Sequence, residues 1–322
     1  MRRVAAIDCG TNSLRLLIAD IDPGRLELRD VVRRMEIVRL GQGVDATGRL
    51  APEALARTFA MLAEYADQIA ETGASAVRMV ATSATRDASN AAEFSDGVQR
   101  VLGVAPEVIS GSEEAGLSFA GATAELAAVD PRAGAAVIGR PEPPYLVVDI
   151  GGGSTEFVLG GAAAVAGIAA ISVDIGCVRL TERHLRSDPP TPAEVAAATA
   201  DVDAALARVA AAIPVRDACT LVGLAGSVTT VTAIALDLPV YDPARTHHAR
   251  IPARRVHDVT VQLLGQTRKE RAAIGSLHPG RIDVIGAGAL VLDRVMQSFG
   301  FADVVTSEHD ILDGIAWSIA SD

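Results

Sequence analysis

A short pattern occurs twice in this chain, and it restricts the fold to one built from two related halves. Residues 4–20, VAAIDCGTNSLRLLIAD, align without a gap on residues 145–160, YLVVDIGGGSTEFVLG. Asp8 falls on Asp149, Gly10 on Gly151, Ser13 on Ser154, and Leu16 to Ile18 on Phe157 to Leu159. Each copy is an apolar run, a turn of small residues and a second extended run, which is the pattern of a β-hairpin. In the second copy Gly151, Gly152 and Gly153 remove every Cβ from the turn. Backbone N–H groups can then approach phosphate oxygens, with the Ser154 and Thr155 hydroxyls as further donors. Asp149 and Glu156 flank that place, and carboxylates repel phosphate unless a cation such as Mg²⁺ lies between them. The plainer alternative is a tight glycine-rich hairpin with a capping Asp. Arg15 is the counterpart of Glu156, so one loop offers a cation where the other offers a carboxylate. Two such hairpins point to a pair of related domains closing on one polyphosphorylated ligand.

With 322 residues and 49% hydrophobic content the chain can bury one large core or two ordinary ones, and the duplication favours two. No apolar run approaches the roughly 18 residues of a membrane span, and MRRVAAID runs into a strand with no cleavage signal. The expectation is a soluble cytoplasmic protein without a membrane partner. Cys9, Cys177 and Cys219 are odd in number and far apart, which fits buried, reduced thiols. The histidines show no zinc-ligand spacing. A net charge of −11 argues against a nucleic-acid partner, since a phosphate backbone needs a broad cationic face. Lys269 is the single lysine, and arginine supplies the rest of the positive charge in the form suited to bidentate phosphate contact.

In order, Val4 to Ile7, Leu14 to Ala19 and Leu26 to Val32 read as a strand meander with a turn at Asp22-Pro23-Gly24. Pro52 opens a long amphipathic helix that Gly73 stops. A strand over Val77 to Ala81 leads into the polar loop Thr82 to Asp87, where Arg86 is either a ligand-facing cation or a surface residue paired with Asp87. Asn90 with Glu93 forms a capping box for the next helix. A strand over Val104 to Ile109 ends in Ser110-Gly111-Ser112-Glu113-Glu114 and a helix start. Acidic residues there serve the helix dipole, or one of them takes a proton from water. The proline- and glycine-rich stretch before Tyr145 reads as a loop into the second domain, and Val165 to Asp174 as a further extended run. Thr191, Pro192 and Glu194 form a capping box, and Thr220 to Ala225 is a strand followed by the small-residue loop Gly226 to Thr230. The basic stretches His247 to Arg255 and Arg268 to Arg271 read as solvated surface or as contacts to the far part of an anion. Ile282 to Val295 and Ile311 to Ile319 read as helices, with a strand over Val304 to Ser307 between them.

Taken together, DCGTNSLRLL, ATSATRDASN, SGSEEA, DIGGGSTEFVLG, a GLAGSVTT loop and GRIDVIGAGALVLDRV resemble the Ppx/GppA phosphatases, which are exopolyphosphatases and guanosine pentaphosphate phosphohydrolases. The resemblance covers almost the whole chain, with DIGGGSTE and SGSEEA its most specific parts. It implies an α/β chain of two related domains of the actin, sugar-kinase and Hsp70 ATPase type, a duplicated ribonuclease H-like fold with the active site in the cleft. The expected domains are residues 1–125 and 126–322, the terminal helix being free to pack back on the first. By this resemblance Glu114 is the general base, with Glu113 as its alternative, and Arg86 holds the phosphoryl group. Gly10, Thr11, Asn12, Ser13 and Arg15, with Gly151, Gly152, Gly153, Ser154 and Thr155, are the phosphate cradles. Asp149, Glu156 and Asp8 are the carboxylates associated with Mg²⁺, Mn²⁺ being the second choice. The activity implied is Mg²⁺-dependent release of terminal phosphate from inorganic polyphosphate by a homodimer. Guanosine pentaphosphate hydrolysis is the first alternative, a non-catalytic sensor of polyphosphate or an alarmone the second, and an ATP-driven kinase or chaperone the third. Two departures stand out. The chain resembles the short form of the family, without its helical C-terminal region, which implies a preference for short chains. The family's Gly-Leu-Arg-Glu-Gly pattern appears as Asp310-Ile311-Leu312-Asp313-Gly314, so the arginine is absent.

Overall fold

The computed structural model describes residues 1–22, 24, 27–128, 141–161 and 167–321. Pro23 of the expected turn, Leu26 and Val165 at the starts of expected strands, and residues 131–140 of the proline- and glycine-rich stretch lie outside the described residues. The chain forms two compact units, Met1–Gly121 joined by the segment from Asp310 onward, and Ala122–His309.

In the first unit β1 (Arg2–Cys9), β2 (Ser13–Asp22), β3 (Glu27–Ile37), β4 (Ala76–Ala81) and β5 (Glu107–Val108) form a sheet in the order β3-β2-β1-β4-β5. β2 runs antiparallel to both β1 and β3, whereas β4 runs parallel to β1 and β5 parallel to β4. The central strand is apolar on both faces, as a strand covered on both sides must be. Ala5 and Ile7 face a core shared with α2 (Pro52–Thr72) and α4 (Ala91–Leu102), through Leu55, Leu62, Tyr65, Phe94 and Val98. Val4 and Ala6 face a second core made by Ile311, Leu312, Ile315 and Ile319 of the C-terminal helix, α13 (Ile311–Ser321). Short helices α1 (Val44–Thr47) and α3 (Ser83–Arg86) lie in the connections, and α5 (Gly111–Ala128) begins in this unit.

The second unit repeats the plan. Its strands β6 (Tyr145–Ile150), β7 (Thr155–Gly160), β8 (Ala169–Val173), β9 (Thr220–Leu224), β10 (Arg250–Pro252) and β11 (Asp303–Thr306) are ordered β10-β11-β9-β6-β7-β8. Leaving out the edge strand β10, order and directions match the first sheet strand for strand. Its core gathers Leu146, Val148 and Ile150 of β6 with apolar residues of α7 (Pro192–Ala212), α8 (Ala225–Ala235), α10 (Ala253–Gly265) and α12 (Ile285–Phe299). The remaining helices are α6 (Cys177–His184), α9 (Pro243–Thr246) and α11 (Arg268–Arg271).

The two proline-led helices have their expected limits. Gly73 closes α2 in the left-handed conformation, φ 69°, and Thr191 with Glu194 forms the capping box of α7. Four expectations are corrected. Asn90 does not cap α4 through its side chain, because its amide both accepts from the Leu50 N–H and donates to the Leu50 carbonyl, tying together segments 40 residues apart. Gly226 to Thr230 is not a loop: β9 passes directly into α8 through Ala225, which takes φ 64°. The Val104 strand shrinks to Glu107–Val108 at the sheet edge. Cys219 is exposed, whereas Cys9 and Cys177 are buried.

Candidate active site

Both hairpins are built alike. In the first, the Gly10 N–H donates to the Ser13 carbonyl at 3.0 Å; in the second, the Gly151 N–H donates to the Ser154 carbonyl at 3.1 Å. Antiparallel register puts Asp8 opposite Arg15 and Asp149 opposite Glu156. The chemical inequality seen in the sequence thus becomes two different cross-strand pairs at one position of the same device.

The second turn is seated on α6. Cys177 N–H donates to the Gly151 carbonyl at 2.9 Å, and the N–H groups of Val178 and Arg179 donate to the Gly152 carbonyl at 2.9 and 3.1 Å. Arg179 Nε adds a 2.7 Å bond to the Gly153 carbonyl. The otherwise unpaired first amides of a helix therefore satisfy the carbonyls of the turn, so that electron-rich oxygens do not face an incoming anion. Gly176 is required by this contact, since a Cβ there would lie 2.2 Å from the Gly152 carbonyl oxygen. Thr155 corrects the expectation from sequence: its hydroxyl is fully buried and donates to the Ile175 carbonyl at 2.5 Å, so it braces the turn instead of serving as a donor to a ligand.

The first turn is wrapped by residues 39–41, with the Arg39 N–H on the Asn12 carbonyl and the Gly41 N–H on the Thr11 carbonyl. Thr11 is buried, and its hydroxyl is 2.9 Å from that of Ser83. Asn12 and Ser13 are half-buried. Arg15 is not an open cation. Its Nε and Nη2 donate to Asp8 Oδ2 at 2.9 and 2.6 Å, and its Nη1 donates to Asp310 Oδ2.

Arg86 and Glu114 meet in the same unit. The Arg86 Nη1 donates to the Ile109 carbonyl at 2.8 Å and to Glu114 Oε2 at 3.2 Å. Glu114 stands in the first turn of α5, anchored by its own N–H on the Ser110 carbonyl, and the residue is 9% exposed. Glu113 takes its N-terminal support from the Ser110 hydroxyl, but its carboxylate is exposed and lies 3.6 Å from Arg78.

The sequence signature of the Ppx/GppA phosphatase family matches residues 17–321. The chain belongs to the Ppx/GppA phosphatase family. It is 51% identical to exopolyphosphatase 2 of Mycobacterium tuberculosis over 331 aligned positions, covering 99% of each chain. A guanosine-5′-triphosphate,3′-diphosphate pyrophosphatase of Aeromonas salmonicida is 28% identical over 98% of this chain and 59% of that one. Among solved structures, an exopolyphosphatase-like protein superposes with a TM-score of 0.90 at 44% identity over 99% of both chains. The Aquifex aeolicus Ppx-GppA enzyme does so at 0.78 and 32% identity, over 98% of this chain and 99% of that one. The repeated strand order is the ribonuclease H-like plan of the actin-like ATPase fold, which this family shares.

Within this Ppx/GppA framework the acidic residues suit a hard cation. Asp8 is 3% exposed and its Oδ1 has no hydrogen-bond partner, a costly state for a buried carboxylate oxygen. Burial raises the Asp8 pKa, Arg15 opposes that rise, and Asp310 adds to it. Asp149 and Glu156 are 7% and 1% exposed, and Ser172 Oγ donates to Glu156 Oε1 at 2.7 Å. Among the described residues no group of three His, Cys, Asp or Glu gathers around one point. Mg²⁺ asks for less than that, since it keeps waters and is commonly held by one or two carboxylates plus substrate phosphates.

Sequence reasoning missed Arg281. Its Nη1 donates to the Gly226 carbonyl at 2.9 Å and to Thr230 Oγ1 at 3.1 Å, placing a cation against the first turn of α8. Gly226 is the enabling residue, as a Cβ there would lie 2.0 Å from the guanidinium. The signal was the pair GLAGSVTT and GRID, whose proximity no local pattern discloses.

Proposed function

We propose that the chain is an exopolyphosphatase that releases terminal orthophosphate from inorganic polyphosphate, with Mg²⁺ as cofactor. The observation that carries this reading is the buried Glu114 carboxylate held by Arg86. In this role Glu114 accepts a proton from the water that attacks the terminal phosphorus. The bond from that phosphorus to the bridging oxygen breaks, and the electron pair stays on the shortened chain. Arg86 fixes the orientation of the base and places positive charge beside it. In each unit the turn offers backbone N–H groups to phosphate oxygens, those of Thr11 to Ser13 in the first and of Gly152 to Ser154 in the second. The Gly10 and Gly151 N–H groups close the turns and are not free for a ligand. Asp149 and Glu156 of the second unit, or Asp8 of the first, would hold Mg²⁺, which would neutralise charge on the phosphate oxygens. Full-length similarity to a protein named exopolyphosphatase 2 supports the choice of substrate.

Guanosine pentaphosphate is the second reading, favoured by the 28% identity to the guanosine-5′-triphosphate,3′-diphosphate pyrophosphatase of Aeromonas salmonicida. A cytoplasmic homodimer with neither nucleic acid nor membrane as partner completes the proposal. No helix among the described residues is long and apolar enough to cross a membrane. The test is orthophosphate release with Mg²⁺ from short polyphosphate, long polyphosphate and guanosine pentaphosphate, with Glu114→Gln as control. Glu114-dependent release fastest on polyphosphate is the expected result. Fastest release on the nucleotide moves the protein to the second reading, and binding without release makes it a sensor.

A further inference from the structure

Arg15 is the cationic side chain beside the first turn, and it faces two carboxylates of its own unit. Asp8, opposite it in the β1–β2 register, accepts from Nε and Nη2. The second partner, Asp310, arrives from 295 residues away. Asp310 is also the first residue of a built helix start. Its Oδ1 accepts the Leu312 N–H at 3.0 Å, its own N–H donates to Asp313 Oδ2 at 2.9 Å, and it is 6% exposed. Asp313 in turn pairs with Arg33 of β3 at 2.5 Å. Asp310 is therefore fixed by the backbone of α13, and its second oxygen is directed onto Arg15. Arg15 is thus bonded to carboxylates on both sides at a turn that is to receive phosphate.

We infer that Asp310 is a substrate-affinity determinant acting through Arg15: it holds the guanidinium in an internal ion pair and so withholds that cation from the anionic substrate, weakening ground-state binding. The inference rests on the exopolyphosphatase reading for its choice of ligand. Asp310 touches neither water nor phosphorus in that reading, so its effect belongs in KM and not in kcat. A guanidinium group released from its carboxylate and turned to a phosphate makes a charge-assisted contact whose gain is about tenfold in affinity.

Asp310→Asn keeps a side-chain oxygen for the Leu312 N–H and removes the charge. On a short inorganic polyphosphate it is expected to lower KM by about tenfold with kcat within twofold of wild type, and the gain shrinks as salt rises. In an Arg15→Gln background the same substitution is expected to leave KM unchanged. Asp313→Asn removes a charge from the same helix start without touching Arg15 and is the control for general electrostatics; its expected KM is that of wild type. Thermal unfolding checks that each variant is folded, and Asp310→Ser, a smaller capping residue, replaces Asp310→Asn should the latter not fold. An unchanged or raised KM in the folded Asp310 variant overturns the inference, as does an equal fall in KM in the Arg15→Gln background. Calorimetric binding of the same polyphosphate in a Glu114→Gln background reads Asp310 without turnover. If wild type releases no phosphate yet the Asp310 variant binds polyphosphate more tightly, the functional reading fails and the Asp310 inference stands. If wild type releases phosphate and the Asp310 variant shows no change in affinity, the functional reading stands and the Asp310 inference fails. Neither release nor binding refutes both.

Discussion

Glu113 and Glu114 are adjacent in sequence and sit in opposite surroundings. Glu114 is buried and held by Arg86, whereas Glu113 is exposed beside Arg78. Glu114→Gln is expected to leave thermal stability near wild type and to lower kcat by about 10² to 10⁴-fold, the usual worth of general-base assistance. Glu113→Gln is expected to stay within about twofold, measured in the same steady-state assay. Comparable losses in both variants would remove the distinction. The helix start at Ser110 and two acids in its first turn were legible in the sequence. Which acid turns inward was not, because it depends on Arg86, 28 residues away on another element. Arg15 and Thr155 show the converse: each belongs to a phosphate-hairpin pattern, yet each side chain is directed onto protein partners that sequence spacing does not disclose.

Among the elements, α5 and α13 approach so closely that glycine is needed on both. A Cβ on Gly121 would lie 1.9 Å from the Asp310 carbonyl oxygen, and one on Gly314 would lie 2.1 Å from that of Leu117. The obstructing atoms are backbone, so no rotamer change relieves the clash. Gly121→Ala and Gly314→Ala are each expected to destabilise by about 1–3 kcal/mol or more, read as a lower denaturation midpoint at unchanged slope. Gly116, on the same helix, meets nothing within 4 Å. Gly116→Ala is expected to be neutral or to stabilise by up to about 1 kcal/mol through helix propensity. At the capping box of α7, Thr191→Ala is expected to cost about 1 kcal/mol in the same measurement. That box was readable because Thr, Pro and Glu act within one turn. The Asn90 box failed because a distant backbone segment, Leu50, offered its side chain two hydrogen bonds at once.

At the scale of the whole molecule, the last helix completes the first unit. Ile311, Leu312, Ile315 and Ile319 pack against Val4, Ala6, Leu17, Ile21 and Val80 on one face of the first sheet. A chain ending at His309 is expected to expose this face, to lose the cooperative unfolding transition of the first unit, and to aggregate where the full chain stays in solution. Calorimetry and light scattering on the two forms check this, and an unchanged thermogram would mean that the sheet does not depend on α13. The sequence by itself determined the duplication, the hairpins, the alternation of strand and helix and most element limits. These follow from side-chain periodicity, glycine and proline placement and caps, all of which act over a few residues. Only the tertiary structure decided that α13 closes the first core, that Arg86 holds Glu114, that Arg281 lies against α8, and that Asp310 engages Arg15. Each of those contacts joins segments far apart along the chain, where local pattern carries no information and the packing of the whole fold selects the partner.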